Sequence, residues 1–449
     1  MSGMKDRIHI PIDTRALEVL RAIEAAQESA WFVGGCVRDA FLGKRAQDFD
    51  IATSASWQTV AAIAAKHGWR VIDTGAAHGS IAVAVDGMLV ETTTYRVESG
   101  YSDARRPDSV TFVDAIEADL ARRDFRMNAL AYHPERGILD LHGGRKDIAK
   151  GIVSTVGAPE ERFGEDPLRI MRALRFCAQL GFQMDHATES ALFACADGLG
   201  RIAVERVFAE LSKLLLAPCA GRVIARYASV VAHACPELFS RSAAPSPDAW
   251  NSGAFERIAR VLDAAPADRT VRFAALFCGI DAEEERRQAN AGCKTTPAAE
   301  AARAALTSLK APRRLTEDVC ALVANRNAAR PVQRETMLLL AARLGGDTAF
   351  MRRLCALQDA EDNADGITLP VARTEFFDRL VCAGEPLSRR DLAISGKDLV
   401  ACGMQPGPAI ATALDALLHE VVYGRIANDE NELIAAIPSS AFSPACLPD

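Results

Sequence analysis

The chain has 449 residues, more than one hydrophobic core usually organises, so about two to four domains are expected. Its 49% hydrophobic and 25% charged residues exclude a disordered coil, and a net charge of −7 excludes a globally basic nucleic-acid coat. Its 12 cysteines form no C-x-x-C pair, which argues against a zinc site and a disulfide framework. No run of about 18 uncharged apolar residues occurs, and MSGMKDRIHIPIDTRALEVL lacks a signal-peptide core, so the expected location is cytoplasmic.

Residues 1–30 read as a helix, with Leu17, Leu20 and Ile23 at helical spacing. AWFVGG follows as a short strand closed by Gly34 and Gly35, and then a short helix runs from Cys36 to Leu42. Backbone N–H groups at such a helix start can receive a phosphate, and Arg38 on its first turn can add a charge-assisted contact. The same glycine pair can also be a tight turn and nothing more.

DFDIAT is strand-like and sets Asp48 and Asp50 two residues apart. Strand side chains alternate, so both carboxylates leave one face, roughly 7 Å apart at Cα. Two hard oxygen donors on one face suit Mg²⁺ ions that keep substrate phosphates in their shell; a solvated surface pair is the plain alternative. SASWQTVAAIAAKHGW opens with a serine cap and runs as a helix. SIAVAVDGMLVETTTYR predicts a hairpin turning at Asp86-Gly87. Its second strand carries Glu91, which completes a three-carboxylate site if that strand neighbours DFDIAT, and otherwise lies on a surface edge.

DLARRDFRMNALAY (119–132) predicts a helix on which Arg123, Asp124 and Asn128 face one ligand, or a solvated basic face. Beyond Glu160 the strand signal fades and helices follow one another. EDPLRIMRALRF (165–176) reads as one helix with Pro167 in its first turn. Asp166, Arg169, Arg172 and Arg175 recur every three residues, about 300° per step, and share a polar half opposite Ile170, Met171 and Leu174. An i,i+3 salt bridge between Asp166 and Arg169 is the structural alternative. The functional reading is a base reader. A carboxylate accepts from an exocyclic amine while a guanidinium donates to a ring nitrogen, which admits adenine and cytosine and rejects guanine and uracil.

SRSAAPSPDAWNSG (240–253) reads as a linker, Ala- and Leu-rich helices continue to about residue 375, and a Pro-Gly-Pro turn precedes a long last helix. The fold class expected is α+β: a mixed head followed by an all-helical remainder.

These motifs together resemble the class II tRNA nucleotidyltransferases, the CCA-adding enzymes, which share their head with bacterial poly(A) polymerases and belong to the polymerase-β-like superfamily. The resemblance runs through VGGCVRDAFLGKRAQDFDIAT, TGAAHGSIAVAV, VETTTYR, YSDARRPDSVTFV, DLARRDFRMNALAY, EDPLRIMRALRF and ERVFAELSKLLLAP, over roughly residues 30–218. It implies a catalytic head at 1–157, a neck at 158–225, a body at 226–375 and a tRNA-binding tail at 376–449.

The resemblance further implies Asp48, Asp50 and Glu91 as catalytic carboxylates, the first two holding Mg²⁺. Gly34, Gly35, Arg38 and Arg123 would hold the triphosphate, with Asp124 and Asn128 close by. Asp166 and Arg169 would select the base, with Arg172 and Arg175 beside the nucleotide. Tyr101–Pro107 would be the loop associated with the switch from C to A addition. The implied partners are CTP, ATP and the acceptor–elbow region of tRNA. Arg126, Ser80 and Ala411 depart from the usual Thr, Thr and Gly, and Arg126 is expected to place an extra charge near the nucleotide. Rival activities are poly(A) addition, CC-only or A-only addition, and non-catalytic RNA binding.

Overall fold

The computed structural model describes residues 10–46, 48–99, 109–236, 253–278 and 296–437. Two compact units make up the chain, Met1–Pro236 and Glu237–Asp449. Among the described residues the cysteines are all free thiols, and no helix is long and apolar enough to cross a membrane.

The first unit runs α1 (Thr14–Ala25), β1 (Ala30–Val33), α2 (Gly35–Phe41), β2 (Phe49–Thr53), α3 (Trp57–Lys66), β3 (Arg70–Gly75), β4 (Ser80–Val85) and β5 (Met88–Thr94). It continues with β6 (Arg96–Ser99), β7 (Ser109–Phe112), α4 (Ile116–Ala121), β8 (Leu130–His133), β9 (Gly137–Asp140), α5 (Gly144–Lys150) and β10 (Ile152–Val153). Then come α6 (Pro159–Glu165), α7 (Leu168–Leu180), β11 (Gln183–Met184), α8 (His186–Ala194), α9 (Val204–Leu215), α10 (Ala220–Arg226) and α11 (Ala228–Ala234).

Seven strands form one sheet in the order β3-β4-β5-β2-β1-β8-β9. The β2–β5 pair is parallel and its neighbours are antiparallel. Phe32, Phe49, Ile51, Val83 and Val90 are buried from its strands. Ser56 caps α3 by accepting from Thr59 N. Asp86 and Gly87 both take positive φ, 44° and 79°, which suits the twist of the β4–β5 hairpin. The mixed head and helical remainder expected from the sequence are what the structure contains.

Two local expectations are corrected. EDPLRIMRALRF is not one helix: α6 ends at Glu165, Asp166 is extended (φ −140°, ψ 97°), and α7 starts at Leu168. The residue before a proline is pushed out of the helical region, and Pro167 does that to Asp166. DLARRDFRMNALAY is not one helix either. It runs from α4 through a loop and a 3-10 turn at Arg126–Asn128 into β8, where pairing with β1 supplies the backbone partners.

The second unit is helical among its described residues. Gly253–Ala264 starts where the linker-like stretch 240–253 ends; the rest of that stretch lies outside the described residues, as does the loop Tyr101–Pro107. Helix Thr348–Ala364 buries Gln358, Glu361 and Asp362. Glu361 is matched by Arg326 (3.4 Å) and Arg330 (2.6 Å), and Asp362 by Arg373 (2.7 Å) and Arg330. Pro408, the last residue of the Pro-Gly-Pro turn, opens helix Pro408–Val422, and Gly424 (φ 67°) separates it from Glu430–Ala436.

Candidate active site

The carboxylates come from the sheet. Phe49 is buried, so Asp48 and Asp50 on either side of it turn to the opposite face; Asp48 lies just before β2 begins. Parallel pairing sets Asp50 directly opposite Glu91, and antiparallel pairing sets it opposite Val33 at the end of β1. Burial, with Glu91 and Asp48 adding like charge, pushes the Asp50 carboxyl up to about 6, against the pull of Arg123. Among the described residues no three His, Cys, Asp or Glu side chains close into a metal cage. The donor set nevertheless fits a hard divalent cation: two carboxylates on one face, one of them desolvated and beside like charge.

Immediately after β1 the chain turns at Gly34, at φ 74°. A Cβ there would lie 3.2 Å from Arg123 Nη1 and 3.8 Å from Asp50 Oδ2, so the glycine lets two functional side chains approach one backbone. Gly35 then opens α2, whose first turn no side chain caps.

From α2 a hydrogen-bonded chain crosses to α7. Arg38 Nη1 donates to Asn128 Oδ1 (2.8 Å), and Asn128 Nδ2 donates to Asp124 Oδ1 (3.1 Å). Arg172 donates to Asp124 Oδ2 through Nε (2.8 Å) and Nη2 (2.6 Å). Burial works to raise the Asp124 carboxyl, but the Arg172 charge and the bonds from Asn128, Arg172 and Phe125 N hold it at about 2. Arg122 and Arg123 share the fully buried Asp119, at 2.7 and 3.1 Å. Burial alone would raise that carboxyl, yet Arg123 and Arg122 keep it below its ordinary value. Arg126 turns away: its Nε donates to Thr155 O (3.0 Å), and it does not line the cleft described next.

A cleft of about 650 Å³ gathers these groups. Gly34, Gly35, Arg38, Asp50, Arg123, Asp124, Asn128, Asp166, Arg169, Arg172 and Arg175 line it; Asp48 and Glu91 do not. Its far wall is α7 and α9. Asp166 Oδ1 accepts from Leu168 N (3.1 Å), and Asp166 Oδ2 accepts from Arg206 Nη2 (2.8 Å). Arg169 donates to Glu165 (2.7 Å), so the anticipated Asp166–Arg169 salt bridge is replaced by two separate pairs. Arg169 and Arg175, members of the polar half read from the sequence, are buried, and Arg175 pairs with Glu210 at 2.9 Å.

Sequence reasoning missed Arg206, Lys213, Gln179 and Phe176, which also line the cleft. Arg122 lines the cleft too, and Asp119 at i−3 and i−4 was a readable signal for both adjacent arginines.

Comparison with known proteins follows the same architecture. A family described as "Poly A polymerase head domain" matches residues 30–154. "Probable RNA and SrmB- binding site of polymerase A" matches 181–229, and "tRNA nucleotidyltransferase domain 2 putative" matches 288–437. The CCA-adding enzyme of Limosilactobacillus fermentum is 34% identical over 425 residues, spanning 94% of this chain and 95% of that protein. The one from Geobacillus kaustophilus is 32% identical over 429 residues, with 94% and 95% covered. Among solved structures, the Bacillus stearothermophilus CCA-adding enzyme in complex with CTP superposes with a TM-score of 0.72 at 30% identity, over 94% of this chain and 95% of that one. The Thermotoga maritima CCA-adding enzyme complexed with tRNA shares the fold at a TM-score of 0.61 and 20% identity, with 96% and 95% covered.

Proposed function

The chain belongs to the family of CCA-adding enzymes, and from that premise we propose how its residues divide the work of rebuilding the 3′-terminal CCA of tRNA. It is a nucleotidyltransferase that uses CTP and ATP and releases pyrophosphate. The observation that carries the assignment of residues is one cleft walled by Asp50, Gly34 and Arg38 on one side and by Asp166 and Arg169 on the other.

In this reading the strand side does the chemistry and the helix side chooses the base. Asp48 and Asp50 hold the divalent metal the family requires, Mg²⁺ in our assignment, with Glu91 beside Asp50. When bound, the ion lowers the pKa of the RNA 3′-hydroxyl and neutralises charge on the phosphates. Gly34 and Gly35 bring backbone N–H groups to the triphosphate, and Arg38 and Arg123 add charge-assisted hydrogen bonds. Arg172 and Arg175 continue that basic wall. Asp124 and Asn128 hold Arg172 and Arg38 in place. Asp166 accepts from the exocyclic amine of cytosine or adenine and Arg169 donates to the ring nitrogen, so no nucleic-acid template is needed.

We assign 1–157 as head, 158–225 as neck, 226–375 as body and 376–449 as tail, the latter parts gripping the acceptor–elbow region of tRNA by shape and phosphate contacts. A tRNA substrate supports a cytoplasmic location. The deciding experiment offers tRNAs ending before C, after C and after CC, each with CTP, ATP or both. Stopping at a completed CCA supports the reading; a long A tail would make the chain a poly(A) polymerase, and arrest after CC or inability to add C would narrow its activity.

A further inference from the structure

Phe176, near the middle of α7, is 4% exposed and lies under the cleft. Three guanidinium groups surround its ring: Arg175 Cζ at 4.3 Å from the centroid, Arg38 Cζ at 5.2 Å and Arg172 Cζ at 5.6 Å. Arg172 and Arg175 come from its own helix, but Arg38 comes from α2, across the cleft floor. The edge of Phe125 packs against the same ring, with centroids 5.7 Å apart at 82°.

Three like charges around one apolar side chain repel one another unless something draws them together. Carboxylates do part of this: Asp39 for Arg38, Asp124 for Arg172 and Glu210 for Arg175. Each such pair consumes N–H donors that a phosphate would otherwise use. An aromatic face attracts a guanidinium through its quadrupole and consumes none. All three arginines also line the cleft.

We propose that Phe176 is the positioning residue of the triphosphate site, a shared aromatic floor that registers Arg38, Arg172 and Arg175 against one polyphosphate. The inference rests on the cleft being the nucleotide site. It differs from the roles of Asp166 and Arg169, because a floor under the phosphates acts equally on every nucleotide.

The test uses the full chain and inorganic tripolyphosphate, in magnesium-containing buffer, as the binding probe. Phe176→Leu and Phe176→Met remove the ring and keep an apolar side chain; Phe176→Tyr keeps the ring. The ring-less variants are expected to bind tripolyphosphate about tenfold more weakly. Their KM for CTP and for ATP rises by a similar factor, with the preference for CTP and ATP over UTP and GTP retained. Phe176→Tyr restores the affinity. Tripolyphosphate affinity within twofold of the parent in a folded ring-less variant overturns the proposal, as does loss of affinity in Phe176→Tyr equal to that in Phe176→Leu. Failure of the unsubstituted protein to bind tripolyphosphate overturns the nucleotide-site reading itself, and this inference with it.

Discussion

Arg206 reaches from α9 to hold Asp166, Nη2 to Oδ2 at 2.8 Å, while Arg169, three residues after Asp166, is held by Glu165. The acid and the base assigned to reading the nucleotide are therefore each anchored by a third side chain and not by each other. Arg206→Ala is expected to loosen Asp166 and reduce the preference for CTP over UTP by about tenfold, the scale of one charge-assisted hydrogen bond. Asp166→Ala should abolish that preference. Ratios of kcat/KM for single-nucleotide addition measure both, and unchanged ratios in Asp166→Ala would refute its assignment.

Asp50 sets function against stability. Its folded carboxyl sits at about 6 against an ordinary 3.8, so the folded state holds the proton more tightly than the unfolded chain does. The metal-free protein thus loses stability as pH rises from about 4 through 6. Asp50→Asn should stabilise metal-free protein at pH 8 by up to about 3 kcal/mol, from 1.36 kcal/mol per pKa unit, and by nothing at pH 3. Turnover should vanish in the same variant. Urea denaturation at the two pH values, beside a nucleotide-incorporation assay, reads both effects.

Asp124 behaves in the opposite sense. Its carboxyl is held at about 2, so the stabilisation is complete above about pH 4 and is lost as pH falls through 2. Asp124→Asn should cost about 2 kcal/mol at neutral pH, converging on the parent at low pH. A double-mutant cycle with Arg172→Ala should return most of that cost as coupling.

Glu361 tests the second unit separately. It is 2% exposed and receives Arg326 and Arg330. Glu361→Ala leaves buried positive charge without its partner and should destabilise by about 3–5 kcal/mol. The denaturation midpoint checks this, and Glu361→Gln should lie between the variant and the parent.

Weak salt dependence of tRNA binding would undercut a phosphate-led grip by the helical parts. The expected result is a steep fall in affinity between low and moderate salt, because each neutralised phosphate releases a counterion. Filter binding over a salt series measures the slope.

Local chemistry was legible in the sequence where it depends on neighbours along the chain. The Asp48/Asp50 alternation, the Gly34 turn and the Asp86-Gly87 hairpin follow from residue type and a period of two, and the hairpin then carries Glu91 to Asp50. Asp124 and Asn128, expected to face one ligand from a helix, hydrogen-bond to each other from a segment that is not helical. The break at Asp166 could have been read from Pro167, since a wheel cannot be drawn through a residue that precedes proline. Arg206 carried no such signal: it meets Asp166 from 40 residues away, through the packing of α9 on α7. Arg126 was misplaced for the same kind of reason, because the carbonyl of Thr155 that receives it lies 29 residues on in the chain and is brought alongside by the Phe125–Thr155 bridge.

The one parallel pairing in the seven-stranded sheet joins β2 to β5, with α3, β3 and β4 lying between them in the chain. A parallel pair cannot be made by a short turn; it has to wait for a crossover. A ribosome that has delivered the glycine turn and both aspartates has therefore delivered no third carboxylate, and none can arrive until some forty more residues have emerged and folded back. Completing the three-carboxylate set therefore depends on closing the whole β2-to-β5 crossover, and not on the strand that carries the two aspartates alone.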